Sequence, residues 1–343
     1  MERRGDMTLH LDLPTGGYNI YLERGVLDRA GELLSLDRKV LVVTDSGVPA
    51  EYARRVATQC REAHIVTVPE GEGSKSFATL ESLCRIMLQK GFTRTDCVVA
   101  VGGGVVGDLS GFAAASFMRG IDFYNIPTTV LSQVDSSIGG KVAINLDHVK
   151  NIVGAFYQPR AVLIDPEVLK TLPERQIANG LAEAVKMALT SDATLFELFE
   201  SGKALEQIDT VIERSLRIKK AVVEQDERET GLRRILNFGH TLGHGIEGAQ
   251  GLCGLYHGEC VALGMLPMCA PDVRARLTPV LQSLGLPTQI EGDLEAMLDL
   301  VAHDKKCDGN TVSVVFVERA GECRIAKMPL DEWKRQIRTT LGG

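Results

Sequence analysis

The sequence predicts an α/β protein of two domains, with an N-terminal parallel-sheet domain over residues 1–172 and a mainly helical domain over residues 173–343. Three observations lead to this fold class. The chain has 343 residues, enough for about two domains of ordinary size. Its first half alternates short apolar, β-branched runs with helical patterns. After Thr171-Leu172-Pro173 the pattern becomes one of helices with a period of about 3.6 residues.

Five short runs in the first half are predicted to be buried strands. Nearly continuous apolar strands that alternate with helices are typical of a parallel sheet covered on both faces. Rossmann-like sheets of this kind bind ligands at the carboxyl ends of their strands, and those ends are polar or glycine-rich here. The predicted strands are Val40–Thr44, His64–Val68, Cys97–Val101, Phe123–Ile126 and Ala161–Ile164.

The second half carries helical patterns followed by one predicted hairpin. Alternating residues in Thr311–Glu318 and Glu322–Met328, separated by a short turn that contains Gly321, predict two antiparallel strands. A last helix is expected from Leu330. The predicted helices before the hairpin cover Gly180–Leu189, Leu205–Val223 and the segment around His240–Ala249.

The composition excludes several classes of protein. The 45 acidic residues outnumber the 38 basic ones, which gives a net charge of −7, so an extended nucleic-acid surface is not expected. The eight cysteines form no C-x-x-C pair, which predicts reduced thiols rather than a zinc ribbon or a redox motif. The N-terminus lacks the apolar stretch of a signal peptide, and no run approaches the roughly 18 apolar residues of a membrane span. We therefore expect a cytoplasmic protein with no membrane partner.

A glycine-rich turn lies where a predicted strand meets a predicted helix. The run from Gly102 to Asp108 matches G-x-G-x-x-G, so backbone N–H groups could cradle a pyrophosphate there. At least two predicted strands precede it, whereas the dinucleotide fingerprint follows the first strand of its unit, so a tight turn for helix packing is equally compatible. Asp45 is a candidate ribose ligand or an ordinary N-cap, and Glu72 with Lys75 could hold the other end of an adenosine.

Glu183 and Lys186 lie three residues apart on one face of an otherwise apolar helix. At a surface they would form an ordinary i,i+3 ion pair. Burial of such a pair in apolar surroundings is costly, which favours a functional role.

Three histidines cluster in a short part of the second half. His240 and His244 are four residues apart, the spacing of two imidazoles that bind one metal, and His257 follows thirteen residues later. Two histidines and one carboxylate leave an open coordination position, as in catalytic divalent sites, and Glu183 is the natural carboxylate. The spacing leaves open which two histidines bind the metal, and an ordinary structural role for the histidines is the alternative.

Basic side chains occur near these motifs although the whole chain is acidic. Some stand in glycine-rich or apolar settings, where a purely solvated charge is hard to explain. Together they predict a pocket for a small substrate that carries phosphate and carboxylate groups, although each alone could be a surface charge. They are Arg119, Lys141, Lys150, Lys186, Lys219, Arg233 and Lys305.

Across nearly its whole length the chain resembles the 3-dehydroquinate synthase family. The motifs that carry the resemblance are numerous and occur in the family's order. They are Gly102–Phe112, Phe117–Gly120, Pro127–Thr129, Val134–Lys141, Lys150-Asn151, Gly180–Lys186, Asp226-Glu227, Leu236–His244 and His257–Glu259.

The resemblance implies an N-terminal domain that binds NAD, a C-terminal domain that binds zinc or cobalt, an active site between them, and a homodimer. It implies that Glu183, His240 and His257 bind the metal while His244 faces the substrate. The implied NAD contacts are Asp45, Glu72, Lys75, Gly103, Gly104, Asp108, Thr128 and Thr129, and we add Lys141, Lys150 and Thr171 as candidates for binding the cofactor.

The resemblance also implies a set of substrate contacts. Lys219 and Arg233 would hold the carboxylate, and Arg119 would reach the phosphate site of the neighbouring subunit. Asn237 and Asp135 would orient hydroxyls or the nicotinamide. The other implied contacts are Lys141, Asn151, Lys186, His244 and Lys305. Two positions depart from the family pattern: Gly47 stands where an asparagine often contacts the cofactor, and Gln176 stands where an acid is common.

The activity implied by the resemblance belongs to the shikimate pathway of aromatic amino acid biosynthesis. It converts 3-deoxy-D-arabino-heptulosonate 7-phosphate into 3-dehydroquinate: NAD oxidises C5, phosphate is eliminated, NADH returns the hydride, and ring opening with aldol closure follows.

Three alternative functions are open. A sibling sugar-phosphate cyclase for a sedoheptulose-type phosphate would leave Lys219 and Arg233 without a substrate carboxylate. A metal-dependent polyol dehydrogenase would accumulate NADH, and a non-catalytic NAD sensor would have no use for an open metal position.

Overall fold

The computed structural model describes residues 7–147, 149–250, 254–302, 307–308 and 311–341. Its internal contacts divide the chain into two compact units, Met1–Pro173 (unit 1) and Glu174–Gly343 (unit 2). The division falls next to the domain boundary that the sequence predicts. In the described residues, no helix is both long enough and apolar enough to cross a membrane.

Unit 1 is built on a seven-stranded sheet with the order β1-β2-β9-β6-β5-β3-β4. All neighbouring strands are parallel except β1 and β2, which pair antiparallel. The strands of the sheet are β1 Met7–Leu11, β2 Tyr18–Leu22, β3 Lys39–Asp45, β4 Glu62–Val68, β5 Cys97–Gly102, β6 Asp122–Pro127 and β9 Ala161–Ile164. The helices of the unit are α1 Ala30–Leu33, α2 Ala50–Ala57, α3 Phe77–Gln89 and α4 Gly104–Ser116.

Each face of the sheet is covered by its own apolar core. Successive residues of a strand point to opposite faces, so Val40 and Val42 of β3 belong to one core while Leu41 and Val43 belong to the other. The sequence lacks polar alternation in β3 and β5 because both faces are buried. Burial also raises the pKa of Cys97, at the start of β5, to about 12, as expected for an inert reduced thiol.

A separate antiparallel hairpin in unit 1 is formed by β7 Lys141–Leu146 and β8 Val149–Phe156. It contacts α4, and Asn145 N donates to Lys75 O at 2.9 Å, which ties the hairpin to the loop after β4. Neither this hairpin nor the β1–β2 pair is predicted from the sequence.

Unit 2 is mainly helical. Its central helix, α5 Glu174–Ser191, is buried without interruption from residue 178 to residue 190. A three-stranded sheet has the order β10-β11-β12. The other helices are α6 Ala193–Glu200, α7 Ile208–Gln225, α8 His240–Gln250, α9 His257–Met265, α10 Pro271–Ser283, α11 Leu294–Ala302 and α12 Leu330–Leu341, and the strands are β10 Cys307–Asp308, β11 Thr311–Arg319 and β12 Glu322–Pro329.

Most predicted elements are confirmed by the structure. All five predicted strands occur within a residue or two of their expected bounds, as do the hairpin of β11 and β12 and the last helix. Two helix starts are wrong: the helix predicted from Leu205 begins at Ile208, because residues 204–207 form a turn, and the helix predicted from Gly180 begins at Glu174, because its first turn is polar.

Candidate active site

The glycine-rich turn joins β5 to α4 at the carboxyl edge of the sheet. β5 ends at Gly102, and Gly103 is the N-cap of α4 but provides no side-chain cap. A Cβ atom on Gly103 would lie 3.1 Å from Cγ2 of Thr129, and Thr128 N donates to Gly102 O at 2.9 Å. The structure therefore places Gly103 beside Thr129 and Gly102 beside Thr128. The first turn of this 13-residue helix suits a phosphate group.

Asp45 closes the turn that follows β3. Its Oδ1 accepts hydrogen bonds from Gly47 N at 2.8 Å and Val48 N at 3.2 Å. The N-cap of α2 is Pro49, so the interpretation of Asp45 as an N-cap is wrong. Burial raises the pKa of Asp45 and the nearby Glu70 charge adds to this effect, although the Gly47 N–H opposes it. A Cβ on Gly47 would lie 2.6 Å from Cδ of Glu70, so the Glu70 carboxyl fills the space that an asparagine side chain would need.

Lys75 connects several of the predicted cofactor and substrate residues. It is 4% exposed, and its Nζ donates to Asp108 Oδ2 at 2.6 Å and to Asn151 Oδ1. Glu72 Oε1 lies 3.7 Å from the same Nζ and accepts a hydrogen bond from Asn145 Nδ2 at 2.8 Å. Asn151, which the family resemblance assigns to the substrate, thus lies beside residues assigned to NAD.

Asp135 and Lys141 also lie in unit 1. Asp135 is part of a π-helical turn, Ser132–Ser136, a form of helix that occurs often at functional sites. Lys141 begins β7 and lines a small cavity together with Asp108 and Ser136. The Ser136 hydroxyl is buried and has no hydrogen-bond partner among the residues described.

Three other predicted residues of unit 1 lie on one strand and at the ends of two short 3₁₀ helices. Lys150 is half-buried in β8. Thr171 donates through its hydroxyl to Val168 O at 3.1 Å. Arg119 is exposed and has a left-handed backbone with a φ of 70°.

Three side chains of unit 2 converge in a geometry that suits a divalent metal. Glu183 lies in the middle of α5, while His240 begins α8 and His257 begins α9. Nε2 of His240 and Nε2 of His257 lie 3.6 and 3.3 Å from Oε1 of Glu183. Glu183 is 1% exposed, and its second oxygen, Oε2, pairs with the ammonium of Lys186 on the same helix. A buried carboxylate that faces two imidazole nitrogens is the donor set of a catalytic divalent site.

The surroundings of His257 control its protonation. Burial alone would lower the pKa of His257, but its contacts with Glu183 and Glu247 raise the pKa to about 10. A metal ion must therefore displace a proton to bind this ring.

The start of α9 is fixed to α5, which brings His257 to Glu183. Arg175 donates to both carboxylate oxygens of Glu259, at 2.7 and 2.8 Å, and Gly258 N donates to Asn179 Oδ1 at 2.6 Å. Gln176 lies beside this contact, because its Oε1 accepts a hydrogen bond from Asn179 Nδ2 at 3.5 Å. Gln176, one of the two positions that depart from the family pattern, thus contacts Asn179, the residue that holds the start of α9.

A second group of possible metal ligands shares His257 with the first. His244, Glu247 and His257 also have one donor atom each within 4.8 Å of one another. His244 is exposed, and its ring centroid lies 5.4 Å from that of His240.

Lys186, Lys219 and Arg233 are cations buried in unit 2, with exposures of 1%, 5% and 2%. Lys186 Nζ pairs with Glu183 Oε2. Arg233 lies in a short 3₁₀ helix, Leu232–Asn237, and donates through its NH1 group to Glu227 O at 2.5 Å. Asn237 Nδ2, at the end of the same 3₁₀ helix, donates to Glu229 Oε1 at 2.5 Å. Lys305 lies outside the described residues.

Asp226 anchors the loop that carries Arg233. Its carboxylate accepts hydrogen bonds from the backbone N–H groups of Thr230, Gly231 and Arg233, at 2.8, 2.7 and 3.0 Å. Burial opposes its ionisation, but these hydrogen bonds lower the pKa of Asp226 to about 2.

Three acidic neighbours of the site are not predicted from the sequence: Glu70, Glu229 and Glu247. For Glu247 a signal exists, because it lies seven residues after His240 and three after His244, on one helical face. Glu70 and Glu229 reach their partners through loop conformation, which no periodic pattern indicates.

The fold and the site define a class of protein, that of the sugar-phosphate cyclases. The solved structures that resemble the chain include a 2-deoxy-scyllo-inosose synthase complexed with carbaglucose-6-phosphate, NAD+ and Co2+. Its TM-score is 0.89 at 27% identity, covering 98% of this chain and 100% of that one. They also include a 2-epi-5-epi-valiolone synthase from Streptomyces hygroscopicus subsp. jinggangensis 5008 with NAD+ and Zn2+ bound, with a TM-score of 0.86 at 27% identity, covering 96% and 98% of the two chains.

Within this class the chain belongs to the 3-dehydroquinate synthase family. The family's N-terminal model matches residues 65–179 and its C-terminal model matches residues 180–307. A 3-dehydroquinate synthase of Streptococcus pneumoniae (strain ATCC 700669 / Spain 23F-1) is 39% identical over 350 residues, which covers 96% of this chain and 99% of the relative. One of Streptococcus sanguinis (strain SK36) is 40% identical over 354 residues, which covers 97% and 100%.

Proposed function

We propose that this chain converts 3-deoxy-D-arabino-heptulosonate 7-phosphate into 3-dehydroquinate and phosphate, with NAD and a divalent metal, zinc or cobalt, as catalytic cofactors. The observation that carries the proposal is the buried set of Glu183, His240 and His257 in a chain of the 3-dehydroquinate synthase family. The enzyme is a carbon–oxygen lyase that eliminates phosphate.

Glu183, His240 and His257 would hold the metal. The fit rests on the buried Glu183 carboxylate, whose Oε1 faces the Nε2 atoms of both histidines while its Oε2 pairs with Lys186. Such an ion supplies Lewis-acid polarisation of the substrate's hydroxyl and carbonyl oxygens when bound. His244, which lies next to His240, is left to contact the substrate.

Residues at the carboxyl edge of the unit 1 sheet would hold NAD. Gly103 and Gly104 would offer backbone N–H groups to the pyrophosphate, and Asp45 would accept from a ribose hydroxyl. NAD supplies reversible hydride transfer, so no net NADH is expected. The other proposed cofactor contacts are Glu72, Lys75, Asp108, Thr128, Thr129, Lys141, Lys150 and Thr171.

The buried cations would hold the two anionic groups of the substrate. Lys219 and Arg233 would pair with the carboxylate, because the loop held by Asp226 presents a guanidinium whose fork matches a carboxylate. Holding the phosphate near C6 would orient it to accept the C6 proton before it leaves, which is catalysis by positioning. The phosphate contacts would come from Lys141, Asn151, Lys186, Arg119 and Lys305, and Asp135 with Asn237 would orient hydroxyls.

Phosphate release from 3-deoxy-D-arabino-heptulosonate 7-phosphate tests this proposal. Purified protein with NAD and zinc or cobalt should release one phosphate per 3-dehydroquinate formed, with no lasting rise in NADH absorbance. Sedoheptulose 7-phosphate, which lacks the carboxylate, should be turned over poorly, and glycerol should produce no NADH. Absence of phosphate release from the carboxylated substrate would overturn the proposal.

Replacing Lys75 by methionine is expected to weaken NAD binding about 10- to 100-fold. The buried ammonium holds Asp108 and Asn151 in place, and its loss leaves the Asp108 and Glu72 carboxylates without their common cation. Calorimetric titration with NAD measures the change, and Lys90→Met at an exposed lysine of unit 1 is the matched control. An unchanged dissociation constant for Lys75→Met would remove Lys75 from the proposed site.

Replacing Asp226 by asparagine is expected to raise KM for the substrate about tenfold while changing kcat less. A hydrogen bond to a charged group contributes about 1.5–3 kcal/mol, and asparagine weakens all three backbone hydrogen bonds because it removes the charge. The loop that carries Arg233 is therefore expected to loosen.

The same carboxylate makes the stability of the protein depend on pH. The pKa of Asp226 is lowered in the folded protein, so its contribution to stability is present above the pKa of the unfolded chain and is lost as the pH falls towards about 2. The stability difference between wild type and Asp226→Asn should therefore shrink from pH 5 to pH 2 in urea titrations; a constant difference contradicts the assignment.

We also propose that the chain forms a homodimer in which Arg119 reaches the phosphate site of the second copy. One chain has a mass of 37.2 kDa, and light scattering should give twice that mass. A mass of one chain at assay concentration excludes this role for Arg119.

A further inference from the structure

In unit 2, both proposed histidine ligands have their outer ring nitrogen next to a hydrogen-bond acceptor. His240 Nδ1 lies 3.0 Å from Phe238 O, and His257 Nδ1 lies 3.4 Å from Glu247 Oε2. The inner nitrogens, both Nε2, face the same oxygen of Glu183. A neutral imidazole carries one N–H and one lone pair, so a hydrogen bond from Nδ1 leaves the lone pair on Nε2 for a metal.

The two acceptors differ in charge. Phe238 offers a backbone carbonyl, whereas Glu247 offers a carboxylate whose side chain is 14% exposed. A carboxylate that accepts the outer N–H of a ligating histidine fixes the orientation of the ring and makes it a more basic ligand.

Close packing of α8 on α9 places Glu247 beside His257. A Cβ on Gly264 of α9 would lie 1.9 Å from Gly239 O, and one on Gly243 of α8 would lie 3.1 Å from Cys260 O. The approach at Gly264 leaves no room for a side chain, and the approach at Gly243 is tight for one. His240 and Glu247, seven residues apart on α8, both lie close to the His257 ring.

We propose that Glu247 is a positioning residue for the metal site: it accepts the Nδ1 hydrogen of His257 so that Nε2 binds the ion held with Glu183 and His240. This inference rests on the metal site of the proposed function. Direct ligation by Glu247, His244 and His257 competes with it. A metal on Nδ1 of His257 would remove the N–H that faces Glu247, and a neutral ring cannot offer lone pairs at both nitrogens. The Glu183 group is also the more buried of the two.

Titration of metal-free protein with Co2+, followed by the visible absorption of the bound ion, tests the proposal. Wild type should bind one equivalent per chain. Glu247→Ala should still bind one equivalent, with a dissociation constant raised about 10- to 100-fold and an altered absorption band. Glu247→Gln keeps an acceptor oxygen without the charge, so it should recover part of the loss. Glu224→Gln, at a half-buried carboxylate of α7 paired with Lys220, is the matched control and should behave as wild type.

Several outcomes would overturn the inference. They are wild-type affinity in Glu247→Ala, no binding of Co2+ by wild type, or two equivalents in wild type that fall to one in Glu247→Ala, which would make Glu247 a ligand. Fluorescence of Trp333, the single tryptophan, shows whether unit 2 remains folded in each variant. If Glu247→Ala fails to fold, Glu247→Gln decides: it must show weakened binding of one equivalent. Because no substrate is present, failure of the lyase assay with intact Co2+ binding would reject the proposed function alone.

Discussion

Replacing His240 by alanine is expected to remove the metal and lower the rate of phosphate release by about 10³-fold or more. His240 contributes one of the two Nε2 atoms that face Glu183 Oε1, and its own Nδ1 is held by Phe238 O. With only Glu183 and His257 left, the site loses a third of its protein ligands. The stabilisation that a Lewis acid gives to developing negative charge amounts to several kcal/mol, and about 4 kcal/mol corresponds to 10³-fold in rate.

His244→Ala is the matched control for this prediction, because His244 is the next histidine on α8. It should retain one equivalent of metal and lose about 10²-fold in kcat/KM, the effect of removing a group that transfers or orients a proton. Metal content by atomic emission and phosphate release on the same samples separate the two roles. If His244→Ala loses the metal while His240→Ala keeps it, the ion belongs to the group formed by His244, Glu247 and His257.

The sequence predicts the buried strands well because burial on both faces leaves a physical signature. β3 and β5 are nearly continuous runs of apolar residues, a pattern typical of strands in a parallel sheet that is covered on both faces. The β7–β8 hairpin has no such signature: β8 alternates exposed and half-buried residues and includes Lys150, Asn151 and Gly154. Its conformation depends on packing against α4 and on the hydrogen bond from Asn145 to Lys75, which are contacts distant in sequence.

For the candidate site, the sequence predicts residue types and misses their partners. Clustering along the chain is enough to single out His240, His244 and His257 as possible ligands, and the apolar surroundings of Glu183 single out the carboxylate. Which two histidines face Glu183 depends on how α8 packs against α9. Because this packing cannot be read from the spacing, the sequence alone leaves the choice of histidines open. Asp45 illustrates the same limit, since its role follows from the conformation of residues 46–48 rather than from any helix start.

In metal-free protein, replacing Glu183 by glutamine is expected to destabilise unit 2 by about 3–5 kcal/mol. Glu183 and Lys186 are each 1% exposed and form an ion pair on α5. Burying either charge is unfavourable unless the other is present, and removal of one partner leaves an uncompensated charge in an apolar helix. Lys186→Met should destabilise for the same reason, because it leaves the Glu183 carboxylate without its ammonium partner.

The double variant Glu183→Gln/Lys186→Met should be more stable than the sum of the two single effects predicts, because it contains no buried charge at the pair. Urea unfolding followed by Trp333 fluorescence reports on unit 2, since this tryptophan is buried in α12 of the same unit. A chelator keeps metal binding from adding its own stabilisation to wild type. Additive effects of the two substitutions, each below about 1 kcal/mol, would show an energetically uncoupled pair. Strong coupling means instead that each of the two buried charges depends on the other within α5, and the proposed role of Glu183 at the metal accounts for a charged pair in an otherwise apolar helix.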